Sequence, residues 1–140
     1  MTIIDTNVLI DVIYRDATWF DWSLDALVGR QEHGPLVVND IIYAELSVRM
    51  ESEREVNATI EKYELRFERV PTAGLFLAGQ AFGKYRATGG PRLTILPDFF
   101  VGAHAQVQRL PILTRDPRRF RTYFADVQVI APPQLPNLTG

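Results

Sequence analysis

Apolar positions along the chain fall in short β-branched bursts separated by longer segments of helical spacing. The bursts are TII (2–4), LVV (36–38), a weaker FERV (67–70), PILT (111–114) and VQVI (127–130), each with the length and composition of a strand. Between the first two, residues 18–31 place Phe20, Leu24, Leu27 and Val28 on one face of a helix that Gly34 closes. On that face assignment Trp19, Trp22 and Ala26 lie on another side of the helix, where two tryptophans suggest a surface for a partner helix or a second copy. IIYAELSVRM (41–50) and FFVGAHAQVQRL (99–110) continue the helical pattern. Strands alternating with helices imply right-handed crossovers and a parallel sheet covered on both faces, so the predicted fold class is α/β.

Length and composition narrow the picture. A chain of 140 residues with 46% hydrophobic content suits one domain with a proper core and excludes a disordered chain. The domain is expected over residues 1–131, with a Pro-rich tail over 132–140. The absence of cysteine excludes a disulfide scaffold and a thiolate metal site and fits a reducing compartment. The opening TII meets Asp5 at once, unlike a signal peptide, and no apolar run approaches the roughly 20 residues needed to span a bilayer. A cytoplasmic protein without a membrane partner is expected.

The net charge of −2 hides an asymmetry. Before Arg69 there are 14 acidic and 6 basic residues, giving −8; from Arg69 onward 3 acidic and 9 basic residues give +6. Clustered basic residues gain affinity for polyanions by displacing counterions from phosphates, although a solvated basic face has the same composition.

Within the basic half, the stretch LPDFFVGAHA (96–105) sets one carboxylate, Asp98, ahead of an apolar run. Open parallel sheets bind ligands beyond the carboxyl ends of their strands. Asp5 follows the strand TII, Asp116 follows ILT and Arg115, Asp98 stands at the start of a helix, and Glu45 lies in the helix after LVV. Four carboxylates from remote parts of the chain therefore have a common edge on which to meet. Taken singly, Asp98 and Asp116 also have the positions of helix N-caps, Asp116 with the cap-then-proline order. Asp5 fits that role less well, because Thr6 and Asn7 can cap the following helix themselves. His33 and His104 match no ligand or general-base spacing and read as structural.

DTNVLID (5–11), the Glu of IIYAEL, PDFFVGAHA (97–105) and LTRDPRRF (113–120) resemble, in order, the four signature regions of the PIN domain, most closely the VapC toxins of type II toxin–antitoxin systems. The resemblance runs from residue 3 to about Ile130. It implies a three-layer sandwich around a central, mainly parallel sheet of about five strands, and a metal-dependent endoribonuclease whose acidic quartet is Asp5, Glu45, Asp98 and Asp116.

The chemistry agrees with that implication. Clustered carboxylates raise one another's pKa unless a cation neutralises them, and an all-oxygen site suits Mg2+ or Mn2+. Such an ion lowers the pKa of a bound water and offsets charge on the phosphate. On the resemblance, Asp5 and Asp98 ligate the metal, Asp116 does so directly or through water, and Glu45 orients a coordinated water. Thr6, Asn7 and Thr114 hold these groups by hydrogen bonds, and Arg115, Arg118, Arg119 and Arg121 hold RNA phosphates. The implied partners are an RNA substrate, a cognate antitoxin that obstructs the acidic pocket, and a second copy in a homodimer. Alternatives are a structure-specific DNA nuclease of the related flap family and an inactive RNA-binding PIN domain. A phosphatase of the haloacid dehalogenase type needs a second Asp where Asn7 stands.

Overall fold

Five short strands, all parallel, form the centre of the computed structural model, which describes residues 1–91 and 93–133. β1 (Thr2–Ile4), β2 (Leu36–Val38), β3 (Leu65–Phe67), β4 (Ile112–Leu113) and β5 (Val129–Ile130) lie in the order β3-β2-β1-β4-β5. Seven helices surround them among the described residues: α1 (Thr6–Ile13), α2 (Phe20–Gln31), α3 (Asp40–Ser47), α4 (Glu53–Lys62), α5 (Thr72–Ala87), α6 (Pro97–Gln108) and α7 (Arg118–Tyr123). The α/β class and the five-stranded parallel sheet are as expected. The Pro-rich tail falls outside the described residues beyond Pro133.

β1 and β2 coincide with TII and LVV, and every one of their side chains is buried. Continuous β-branched runs of this kind belong to strands covered on both faces. β3 starts two residues before the expected FERV, because Glu64, at φ 53°, turns the chain directly after α4. Being an edge strand, it buries Leu65 and exposes Arg66 and Phe67.

The chain builds outward from β1 through β2 to β3, then crosses to the other side of β1 for β4 and β5. Loops after β1 and β4 therefore diverge, leaving a crevice at the carboxyl ends of these two neighbours. Their register, Ile3 opposite Ile112 and Ile4 opposite Leu113, puts residues 5 and 114 side by side beyond it, and Asp5 N–H donates to Leu113 C=O at 2.9 Å.

The face of α2 differs from the expected stripe. Ser23 and Leu27 are its buried residues, Trp22 and Ala26 pack against the core, and Val28 is half exposed. Ser23 is drawn inward because its hydroxyl donates to the buried carboxylate of Asp11 at 2.8 Å. Trp22 therefore belongs to the packed side; it meets Trp19 edge to face at 6.3 Å.

α6, which carries Asp98, is fixed by aromatic packing and by a buried polar pair. Phe99 contacts Phe82, Tyr85, Tyr123 and Phe124 at ring separations between 5.3 and 6.3 Å. His104 is fully buried; Asn39 Nδ2 donates to its Nδ1 at 3.1 Å, and its Nε2 donates to Gln108 Oε1 at 3.0 Å. Asn39 is oriented by its own role as the cap of α3, where Oδ1 accepts from Ile42 N–H at 2.9 Å. His104 is thus a neutral structural group, and burial holds its pKa below the ordinary value of 6.5. α6 ends on Arg109 in the left-handed region, φ 55°.

Gly102 is the close-approach point of α6: a Cβ there would lie 2.3 Å from Cδ2 of the buried Phe124 ring. Gly102→Ala is expected to destabilise the fold by about 1–3 kcal/mol through overpacking. Urea unfolding should show a lower midpoint with an unchanged slope.

A carboxylate cluster at the crevice: candidate active site

Asp5 occupies the crevice between β1 and β4. Its backbone continues the strand while its side chain caps α1, Oδ1 accepting from Thr6 N–H at 2.9 Å. The expectation that Thr6 or Asn7 would do the capping is corrected here: the β1 ladder ends at Asp5 and the helix begins at Thr6, so Asp5 alone has the extended backbone of a cap. Conversely, neither Asp98 nor Asp116 caps a helix. Leu96 and Pro117 hold those positions without side-chain bonds. Asp98 instead lies in the first turn of α6, one residue after the proline, where the helix dipole favours an anion.

Around Asp5 the polar groups are fully ordered. Its Oδ2 accepts from the Thr114 hydroxyl at 2.8 Å and more distantly from Asn7 Nδ2 at 3.4 Å. Thr114 Oγ1 in turn accepts from Asp116 N–H at 3.1 Å and from Asn7 Nδ2 at 3.2 Å. Asn7 Oδ1 accepts from Arg115 N–H at 3.3 Å, which points the amide nitrogen toward Asp5. On the other side the Thr6 hydroxyl donates to Glu45 Oε1 at 2.7 Å. Thr114 and Asn7 thus bond to the Asp5 carboxylate, and Thr6 to that of Glu45.

Electrostatically, Asp5, Glu45 and Asp98 form one group. Burial pushes the Asp5 carboxyl up from 3.8 to about 7, and the charges of Asp98 and Glu45 push the same way against hydrogen bonds from Thr114 and Thr6. Burial also raises Glu45, with a further contribution from Asp98. Asp116 is different: it is exposed, and hydrogen bonds from Arg118 at 3.2 and 3.5 Å hold its pKa below the ordinary value. Asp98 is paired with Arg119 Nη1 at 3.0 Å. Asp98, Asp116, Arg118 and Arg119 line one cavity of about 330 Å3.

The arginines separate by role. Arg118 and Arg119 lie on the cavity wall, the latter also 5.7 Å over the Tyr85 ring. Arg121 is exposed and does not line that cavity. Arg115 turns inward: its Nε donates to Asp11 Oδ2 at 2.7 Å and its guanidinium lies 5.8 Å over Trp19. Asp11, fully buried with Ser23 as second donor and with no partner for Oδ1 among the described residues, was not singled out from the sequence. Its only sequence signal was its place in DTNVLID.

A hard divalent cation fits the donor chemistry, since the acids offer only oxygen ligands and the central carboxylate is disfavoured as an anion by burial and, further, by its like-charged neighbours. As the side chains stand, no three acidic or histidine residues among the described ones are close enough to hold an ion together. Arg118 and Arg119 hold two of the four carboxylates instead.

Residues 2–125 match the family described as PIN domain. The chain belongs to the PIN-domain family. Solved structures with the same fold include VapBC2 from Rickettsia felis bound to a DNA fragment from their promoter, at TM-score 0.68 and 13% identity, covering 94% of this chain and 98% of that one. VapBC-1 from nontypeable Haemophilus influenzae gives 0.67 at 16% identity, covering 93% and 96%. FitAcB from Neisseria gonorrhoeae gives 0.61 at 23% identity, covering 96% and 100%. No curated protein sequence matches this PIN domain. Among its described residues no helix is long and apolar enough to cross a membrane.

The raised Asp5 pKa makes stability pH-dependent. Below 3.8 the group is neutral in both the folded and unfolded chain; as pH rises to about 7 the unfolded chain ionises first, so stability is lost over that window. Asp5→Asn removes this loss. In EDTA its melting temperature relative to wild type should be higher at pH 8 than at pH 4.5, as scanning calorimetry would show; a pH-independent difference would contradict the burial of charge.

Proposed function

We propose that this PIN domain is the toxin of a type II toxin–antitoxin pair, a Mg2+- or Mn2+-dependent endoribonuclease. The observation that supports the reading is the buried Asp5 at the β1/β4 crevice under the charges of Asp98 and Glu45, with Asp98 sharing a cavity with Asp116 and with arginines suited to phosphate. Asp5, Asp98 and Asp116 would hold the cation, with Glu45 orienting a water. The cation, when bound, supplies charge neutralisation at the phosphodiester and lowers the pKa of the attacking water.

The chain's own groups supply the rest. Thr114 and Thr6 fix the Asp5 carboxylate, and Thr6 holds Glu45 at the same site. Arg118 and Arg119 exchange their carboxylate partners for the phosphates of the RNA, which are matched to the planar guanidinium. Arg121 can reach a strand only on the outer face of α7, and Arg115, tied to Asp11, braces the turn carrying Thr114 and Asp116. The likeness in fold to VapBC and FitAcB structures supports a cognate antitoxin as partner, and self-association into a homodimer follows from the VapC resemblance. A cytoplasmic site of action accords with an RNA substrate.

The direct test is incubation of the purified chain with single-stranded RNA and DNA, with Mn2+ or with EDTA. Cleavage of RNA in Mn2+ alone is expected. Asp5→Asn and Asp98→Asn should each lower it at least about a hundredfold while the circular dichroism spectrum is retained, because each amide removes a charged ligand. Undiminished turnover by either would overturn the site; cleavage of branched DNA and not RNA would favour the flap-type reading.

For the phosphate-binding arginines, the double change Arg118→Gln with Arg119→Gln should weaken RNA binding in EDTA. The slope of log affinity against log salt should fall by about 1.4, or about 0.7 for each phosphate of a single strand that is no longer neutralised. An unchanged slope would return both residues to a solvated face.

A further inference from the structure

A second cavity, of about 400 Å3, lies beside the acids and is lined by Thr6, Asn7, Ile10, Glu45, Arg49 and Arg115, with Val48 at its rim. It shares no lining residue with the Asp98–Asp116 cavity, yet Thr6 and Glu45 belong to the hydrogen-bonded surroundings of Asp5. Each cavity therefore contains a carboxylate whose charge acts on Asp5, Asp98 in one and Glu45 in the other, and each carries arginines.

The two arginines of this second cavity are held differently. Arg115 is bound to Asp11 at 2.7 Å. Arg49 makes no ion pair among the described residues, and its guanidinium rests 5.0 Å over the ring of the half-exposed Tyr14. It is one of only 6 basic residues before Arg69, in the strongly acidic part of the chain. An arginine steadied by an aromatic face keeps its N–H donors for an anion and offers a flat face on which a base can stack. Ile10 and the 83% exposed Val48 add apolar surface beside it. Cation and flat stacking surface match the phosphate and the base of a nucleotide, and the apolar wall extends the surface against which the base can lie.

We propose that this cavity is the subsite for the nucleotide adjoining the cleaved phosphodiester in a single-stranded RNA, with Arg49 holding its phosphate and the Arg49–Tyr14 pair stacking its base. This assignment rests on the ribonuclease reading above. The strand then passes from Arg118 and Arg119, over the acids, to Arg49.

The test is fluorescence anisotropy of the full chain with a short, mixed-sequence, fluorescein-labelled single-stranded RNA in EDTA, where no cleavage occurs. Arg49→Ala should weaken binding about tenfold and lower the salt slope by about 0.7, the value for a single phosphate. Tyr14→Ala should weaken it about fivefold with the salt slope unchanged, because stacking releases no counterions. Arg54→Ala, on the exposed surface of α4, should leave binding as in wild type. Both site residues are exposed, and unchanged thermal melts will separate loss of binding from loss of fold. If Arg118→Gln with Arg119→Gln weakens RNA binding while Arg49→Ala and Tyr14→Ala do not, the subsite is overturned and the ribonuclease reading stands. If the wild-type chain binds no RNA, both fall. Unchanged RNA affinity with a shifted monomer–dimer equilibrium in light scattering would give the cavity to a second copy and likewise overturn the proposal.

Discussion

The burial of one carboxylate at the end of the central strand is the constraint on which the site depends. Asp5 must stay where β1 ends, because its N–H completes the ladder to Leu113 and its side chain starts α1. There it is removed from water and faces the charges of Asp98 and Glu45, so its ionised form is disfavoured. A structural cap would need neither the burial nor the like-charged neighbours. The hydrogen bonds from Thr114, Thr6 and Asn7 keep the group in place without cancelling that disfavour.

Positive charge is distributed around this centre in three ways. Arg115, itself partly exposed, is locked to the buried Asp11 and keeps the β4 turn in position. Arg118 and Arg119 rest on the acids themselves, in partly or fully exposed pairs that add little to stability. Arg49 rests on an aromatic ring. The basic character of the second half of the chain is thus only partly available to a polyanion, and an arginine of the acidic first half stands beside the site.

Packing places the remaining acid. Asp98 is held at the crevice because α6 is pinned through Phe99 to four aromatic rings, through Gly102 to Phe124, and through His104 to Asn39. Asn39 also caps α3, the helix that carries Glu45. One buried amide therefore couples the helices of two site carboxylates, which is a reason for a polar residue to sit in the core.

Residue order and composition alone dictate the parallel α/β sheet and the place of Asp5 at the end of its first strand. TII and LVV are β-branched runs with one stable use, and a residue directly after such a strand can lie only at the strand's end. Tertiary structure decided what side-chain pattern leaves open. Asp5, rather than Thr6 or Asn7, caps α1 because the β1–β4 ladder runs up to it. α2 turns Ser23 and Leu27 inward, not Phe20 and Val28, because the buried Asp11 on the neighbouring helix needs a donor. Arg115 and Arg118, three residues apart, have different uses because one pairs with the buried Asp11 and the other with the exposed Asp116. Periodicity records which residues are apolar; which polar group is drawn inward depends on a partner distant in the chain, and only the folded chain brings the two together.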